Sequence, residues 1–399
     1  MRTSLAPRPT DVDAERRAWP AVVAVMMGIF TIVTTEILPI GLLTAIGSGF
    51  ALSDGTAGLM MTMPGLLAAV AAPLVTAATA RVDRRVVLCA LMLVLTAANL
   101  IAAIAADYWT LLASRVLVGI VIGGFWSVGA GLAGRLVPAA SAGRATAVIF
   151  SAVPLGSVLG VPVGTLIGDV AGWRTAFTAL AVLSAAVLAA LVLTLPPLPA
   201  QRPTRLAVLG RALRRRGTLL ALALTFLIVL AHFGAYTYIT PFLERVTGAD
   251  AGAVTAVLVV YGAAGIAGSL VCGATVNQYP RATFAAAAAM IAAGTLLLPH
   301  LGHTLPGAVA LLVVWGIAYG GIPVCSQVWF AKAAPLTPEA ATVLFTASFQ
   351  ATISIGALVG GAVLDRSTVS TVMTLGGAAA LAVVVLLGVT KALGPKTSR

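Results

Sequence analysis

Hydrophobic residues in this chain fall into long continuous blocks, not the alternating or one-faced patterns of soluble strands and helices. The blocks run at 20–46, 55–79, 86–106, 109–134, 144–168 and 173–195, and again at 218–243, 251–275, 282–299, 306–330, 339–364 and 369–392. About 20 apolar residues in an α-helix cross the ~30 Å hydrocarbon layer, so each block predicts one membrane-spanning helix. The expected fold class is an all-α membrane protein with twelve transmembrane helices. Its longest polar break is Pro196-Pro197-Leu198-Pro199 followed by Arg202, Arg205, Arg211, Arg214, Arg215 and Arg216. That break predicts a first six-helix bundle over 1–196, a basic cytoplasmic linker over 197–217 and a second bundle over 218–399.

Composition agrees. With 60% hydrophobic and 9% charged residues against about 25% charged in soluble domains, the chain belongs in a lipid bilayer. A net charge of +12 would suggest nucleic acid in a soluble protein; here its placement excludes that partner. Twenty of the lysines and arginines fall in the tails and in every second break. The other breaks hold Arg174, Arg245 and Arg366 beside Asp54, Asp107, Asp169, Glu244, Asp250 and Asp365. The positive-inside rule then puts both termini in the cytoplasm of a multi-pass cell-membrane protein. Residues 1–18 carry Asp11, Asp13 and Glu15 without a short apolar core, so no cleaved signal peptide is expected. Cys89, Cys272 and Cys325 sit in apolar blocks without metal-ligand spacing and are expected to be core residues.

The blocks also repeat. Gly119-Ile-Val-Ile-Gly123-Gly124 returns as Gly316-Ile-Ala-Tyr-Gly320-Gly321, and Gly160, Gly164 and Asp169 return as Gly356, Gly360 and Asp365. Both pairs of strings keep nearly one offset, which predicts two pseudo-symmetric six-helix bundles with a path between them near the midplane. Two charges break the apolar pattern. Away from the block ends, Glu36, within Thr34-Thr35-Glu36-Ile37-Leu38-Pro39, is the only acid and Arg115 the only base. A carboxylate at that depth costs about 2.5–3.5 kcal/mol on insertion scales. Glu36 is therefore expected to face protein or water, as a proton carrier or as a hydrogen bond between helices. The repeat puts Leu312 where Arg115 stands, so symmetric packing does not require the arginine. Its alternatives are a role in proton coupling with Glu36 and a snorkelling side chain.

Further along, Gly156, Gly160, Gly164 and Gly168 recur every fourth residue around Pro162, placing one small-residue face against a neighbouring helix. With these residues in view, the whole chain resembles the major facilitator superfamily, within its twelve-helix drug:proton antiporters. Arg115-x3-Gly119-x3-Gly123 is similar to the motif associated there with proton transfer. Gly156-x3-Gly160-Val161-x2-Gly164-Thr165 resembles the antiporter motif, with Pro162 one residue late. Arg81-Val-Asp83-Arg84-Arg85 resembles the cytoplasmic gating motif, with Ala80 in place of its aspartate. Glu36-Ile-Leu-Pro39, Gly123-Gly124-Phe125-Trp126, Arg135-Leu-Val-Pro138, Gly172-Trp173-Arg174 and Tyr238-Ile-Thr-Pro241 resemble purine ribonucleoside efflux pumps; sugar exporters share several of them.

The resemblance implies proton-driven export of a small polar organic solute, with drugs or sugars as alternative cargo. A purine nucleoside needs stacking surfaces and hydrogen-bonding groups. Candidates are Phe125, Trp126, His232, Tyr236 and Tyr238, with Gln327 and Gln350 as the only glutamines inside blocks. Gly156, Gly160, Pro162, Gly164 and the Arg81–Arg85 loop are the conformational candidates. The expected partners are lipid, the solute and protons, and the expected assembly is a monomer. No Gly-x4-Gly-Lys-Ser/Thr run is present, so a proton gradient is the expected energy source, with no cofactor or metal. Paired acids, metal clusters and Ser/His arrangements are missing from the blocks, which argues against an enzyme.

Overall fold

The computed structural model describes residues 9–79, 81–129, 132–138, 141–199, 215–333 and 338–392. Most of the expected basic linker, and Ala80, lie outside these residues. The twelve long helices are α1 (Pro9–Ile37), α2 (Leu59–Ala78), α3 (Arg84–Ile104), α4 (Tyr108–Gly129), α5 (Ala142–Ala171), α6 (Trp173–Thr194), α7 (Arg216–Tyr236), α8 (Ala251–Thr275), α9 (Pro280–Leu301), α10 (Leu305–Ala333), α11 (Pro338–Leu364) and α12 (Val369–Ala392). No strand occurs among the described residues. Eleven of these helices are long and apolar enough to cross a membrane. The remaining one, α5, is a continuous 30-residue helix with two shorter apolar stretches, Arg144–Val153 and Leu159–Ala171.

Prolines set the departures from the expected spans. The first block was expected to run unbroken to residue 46, but α1 stops at Ile37. A 3₁₀ turn over Leu38–Ile40 and a short helix Leu43–Gly49 follow. Pro39 has no N–H and disfavours helical geometry in the residue before it, so the ladder ends there. The seventh block breaks in the same way, with α7 followed by Ile239–Arg245 around Pro241.

The repeat reappears as equivalent packing. A Cβ at Gly119 would meet the Pro64 carbonyl on α2, and one at Gly316 would meet the Tyr261 carbonyl on α8. On α5, Gly160 and Gly164 lie against Thr34 and Leu38 of the first block. On α11, Gly356 and Gly360 lie against Gly234 and the Gly234–Tyr238 region of the seventh. Close backbone approach is what glycine at these positions permits.

Apolar packing is continuous at one end and divided at the other. One buried cluster joins Leu38–Ile46, Tyr108 and Phe177 to Tyr238, Phe242 and Val254, crossing between the two sets of six helices at the end where the acidic breaks lie. Toward the basic end, one cluster is confined to the first set, from Ala21 to Leu198. A small one, Ala221, Phe330 and Phe345, is confined to the second.

Candidate functional site

Arg115 is fully buried on α4, and its guanidinium goes to three main-chain carbonyls. Nη1 donates to Thr35 O at 3.0 Å, Nη2 to Glu36 O at 3.1 Å and Nε to Met60 O at 3.2 Å. Two of these carbonyls are orphaned by proline. In an unbroken helix Thr35 O would accept from residue 39 and Met60 O from residue 64, and both positions are proline. The planar fork of arginine supplies the missing donors where no water reaches. Arg115 thus fastens the broken end of α1 to α2 through α4. Snorkelling toward a helix end is not what this side chain does.

The Glu36 carboxyl lies just beyond this staple and is 6% exposed. Among the described residues, the ion pair found within salt-bridge distance is Arg245–Asp54, so Arg115 and Glu36 are neighbours through the main chain. The Gln350 amide of α11 lies beside the carboxyl, and Tyr319 of α10 is close enough to interact with it electrostatically. Glu36 Oε1 and Gln350 Oε1 have no hydrogen-bond partner. Behind them, Asn99 Nδ2 on α3 donates to Thr35 Oγ1 at 3.2 Å and to Ser184 Oγ on α6 at 3.1 Å. The carboxyl therefore sits where the two sets of helices meet.

On the opposite side of the junction the second set presents rings. His232 of α7 is stacked on Tyr319 at 3.3 Å between centroids and 3° between planes, and on Tyr236 at 5.0 Å. Tyr236 stacks in turn on Tyr261 of α8 at 4.6 Å. Trp315 Nε1 donates to His232 Nδ1 at 3.0 Å, so in the neutral ring the proton sits on Nε2. That nitrogen has no partner.

The other candidates are dispersed. Tyr238 is fully buried and its hydroxyl donates to Ala357 O at 2.7 Å. Phe125 is buried with its ring against Gly28, and Trp126 is half-buried. Gln327 is exposed, whereas Gln350 is buried. Pro162 is buried within an unbroken α5. Asp83 caps α3, accepting from Arg85 N at 2.8 Å and from Leu198 N at 2.9 Å. Arg84 donates to Thr79 O and Arg85 to Val192 O, while Arg81 is exposed. These bonds fasten the α2–α3 loop to the end of α6 within the first set.

Sequence reasoning passed over Asn99, Tyr261, Trp315 and Tyr319. Asn99 was visible as an amide inside an apolar block. Trp315 and Tyr319 flank and occupy the repeated Gly316–Gly321 string.

The acidic end is tied shut across the junction. Arg245 pairs with Asp54 at 2.5 Å, Thr44 Oγ1 donates to Glu244 Oε1 at 3.0 Å, Gly55 N donates to Asp365 Oδ1 at 3.2 Å, and Thr240 Oγ1 donates to Ile40 O at 3.0 Å. A cavity of about 440 Å³ at this mouth is lined by the same Asp54, Glu244 and Arg245, with Asp169; Glu36 does not line it.

Known proteins give this arrangement its context. Residues 21–342 match the family model of the Major Facilitator Superfamily. The transcription regulatory protein OpdE of Pseudomonas aeruginosa is 33% identical over 354 residues, covering 88% of each chain. The human organic anion transporter MFSD10 (TETRAN) superposes with a TM-score of 0.66 at 18% identity, over 96% of this chain and all of that one. A bacterial homologue of the human lysosomal transporter Spinster, in an inward-facing and unoccupied conformation, gives 0.66 at 16% identity over 97% and 96%. A POT family transporter in complex with 5-aminolevulinic acid gives 0.75 at 11% identity over 96% and 97%. The twelve long helices of the described residues, a twofold packing repeat and a polar junction between the two sets of six therefore belong to a secondary transporter, and the chain is a member of the Major Facilitator Superfamily.

Proposed function

We propose that the chain is a proton-coupled antiporter that exports a small polar organic solute from the cytoplasm, with purine ribonucleosides and related nucleobase compounds as first candidates. The observation that carries this reading is the Glu36 carboxyl, buried at the junction with one oxygen unpartnered. Arg115 is committed to carbonyls, so it leaves the carboxyl free to take up and release a proton. The ties and the shared core at the acidic end, against separate clusters at the basic end, fit a state that admits solute from the basic side. Positive-inside topology makes that side cytoplasmic. The nucleobase assignment is supported by the likeness of sequence strings and by the aromatic wall at Tyr319. A transporter that sets the internal concentration of an effector alters transcription without touching DNA, so the regulatory name of OpdE fits the same reading.

Glu36→Gln keeps the shape and hydrogen bonding of the side chain but cannot ionise. In inside-out vesicles it is expected to bind solute within a few-fold of the parent protein while losing uphill transport driven by a pH gradient. Uphill transport that survives in this variant would sink the reading. Thermal stabilisation with nucleosides, pentoses and amphiphilic drugs in parallel separates the cargo classes, because only bound cargo raises Tm.

A further inference from the structure

Two of the three cysteines meet inside the second set of helices. Cys272 of α8 and Cys325 of α10 are 8% and 0% exposed, and their thiols form a hydrogen-bonded pair. Backbone packing brings them together. α8 and α10 run side by side, with Gly268 against the Ile317 carbonyl and Gly320 against Gly265. At the next level Cys272 is pressed on Gly321, so closely that a Cβ there would collide with its Sγ and Cβ. Cys325 stands one turn beyond Gly321 on the same face of α10, and its side chain leans back toward that level. The missing side chain at Gly321 leaves the space in which the two thiols meet. No group of three or more His, Cys, Asp or Glu side chains able to hold a metal occurs among the described residues, so a zinc-type ion finds too few ligands there.

Their position in the helices says what a bond between them would do. Pro323 lies on α10 between Tyr319, in the ring stack, and Cys325. In an unbroken ladder the N–H at 323 would serve the Tyr319 carbonyl, so α10 lacks one bond there and bends most easily at that point. The segment beyond, residues 324–333, is held to the turn between α8 and α9 by two side chains. Trp329 Nε1 donates to Pro280 O at 3.4 Å and Lys332 Nζ to Asn277 O at 3.0 Å, the first partly buried and the second exposed. Cys325 stands at the root of this segment. On α8, Cys272 is next to the exposed Val271 and about one turn from the helix end at Thr275. A small molecule arriving at this surface therefore meets Cys272 before Cys325. We propose that Cys272 and Cys325 are a redox-active dithiol, which a hydroperoxide converts to a disulfide that clamps the segment of α10 beyond Pro323 to α8.

The reaction balances in atoms and electrons. The Cys272 sulfur attacks the hydroperoxide, the O–O bond breaks, and the departing alkoxide takes the Cys272 proton and leaves as an alcohol. Cys272 is then a sulfenic acid. The Cys325 sulfur displaces the sulfenic oxygen, which takes the Cys325 proton and leaves as water while the S–S bond forms. The two thiols lose two electrons and the hydroperoxide gains them. A dithiol reductant reverses the bond by exchange. Both cysteines lie toward the basic end of their helices, which the positive-inside rule assigns to the cytoplasm. Thiols rest reduced there and a disulfide is transient, so the bond acts as a signal and not as a permanent staple. Neither Glu36 nor any cargo takes part, and the dithiol stands apart from the antiport reading.

The test treats the purified full chain in lipid nanodiscs with tert-butyl hydroperoxide, blocks the remaining thiols and maps the peptides by mass. The expected product is one internal disulfide joining Cys272 to Cys325, lighter by two hydrogens, with Cys89 still a free thiol. Dithiothreitol should restore all three thiols. Hydrogen exchange of residues 324–333 should slow by about fivefold or more in the oxidised protein and return on reduction. In Cys325→Ser the same treatment should stop at a sulfenic acid on Cys272, trapped by dimedone, with exchange unchanged, and Cys89→Ser should behave as the parent protein. Preferential oxidation of Cys89, over-oxidation of Cys272 and Cys325 without a bond, disulfides between chains, or no reaction would each overturn the pairing. A Cys272–Cys325 bond that leaves exchange of residues 324–333 unchanged would overturn the clamp. Neither cargo nor a proton gradient is used, so the outcome decides the dithiol whatever vesicle transport shows of Glu36.

Discussion

Where α4 carries Arg115, α10 carries Leu312, and where α2 carries Pro64, α8 carries Tyr261. These exchanges belong together. Pro64 and Pro39 each leave a carbonyl without its helical N–H, and Arg115 serves both. Tyr261 keeps its N–H, so the carbonyl four residues earlier on α8 keeps its helical donor and Leu312 has no such carbonyl to serve. The glycine contacts that set helix spacing are kept in both sets, whereas the centre has diverged, to a carboxyl and a guanidinium in one and stacked rings in the other. Two copies of a scaffold can therefore share their packing and differ in chemistry, provided each satisfies its own backbone.

The comparison is most open to attack at Arg115. Arg115→Leu copies the second set's residue into the first and leaves buried carbonyls without donors. The expected cost is about 3–5 kcal/mol, read as a large fall in Tm together with loss of transport. Adding Pro64→Ala, which restores an N–H to Met60 O, should recover part of that loss. No recovery would mean that the proline account of Arg115 is mistaken.

Next in size is the shared scaffold. Gly160→Leu and Gly356→Leu should each overpack an equivalent helix pair, at about 1–3 kcal/mol, and both should impair export in protein that still inserts. Tolerance of one and not the other would show that the two glycine faces are not equivalent.

The smallest effect is expected at the acidic mouth. Arg245 is 55% exposed in its side chain, and Arg245→Ala should cost about 1 kcal/mol or less. Its signature is access: a Thr44→Cys probe should label faster with a membrane-impermeant thiol reagent once the tie to Asp54 is gone. Unchanged labelling would make the pair incidental to closure.

Much of this molecule was legible in the chain. Block lengths announced the helices, Glu36 and Arg115 stood out as charges in apolar runs, and the repeated glycine strings announced the duplicated packing. The strings also pointed to α5 against a neighbour, which proved to be the first block at Thr34 and Leu38. Less legible was the fate of the aromatic and amide candidates. Gln327 and Gln350 looked alike in sequence, yet one is exposed and the other is buried beside Glu36, a difference that the rotation of each helix makes and hydropathy does not show.

The sequence by itself determined what is local. Hydropathy over about 20 residues selects a spanning helix, proline removes a donor at a known position, and charge on alternate breaks orders the two ends. Only the tertiary structure decided that Arg115 answers those prolines in place of pairing with the Glu36 carboxyl, that His232 is clamped between Tyr319 and Tyr236, and that the acidic end is the one tied shut. Each of these depends on the depth and rotation of helices far apart in the chain. Those are set by backbone contacts at glycines such as Gly65, Gly119 and Gly160, which no single segment encodes alone.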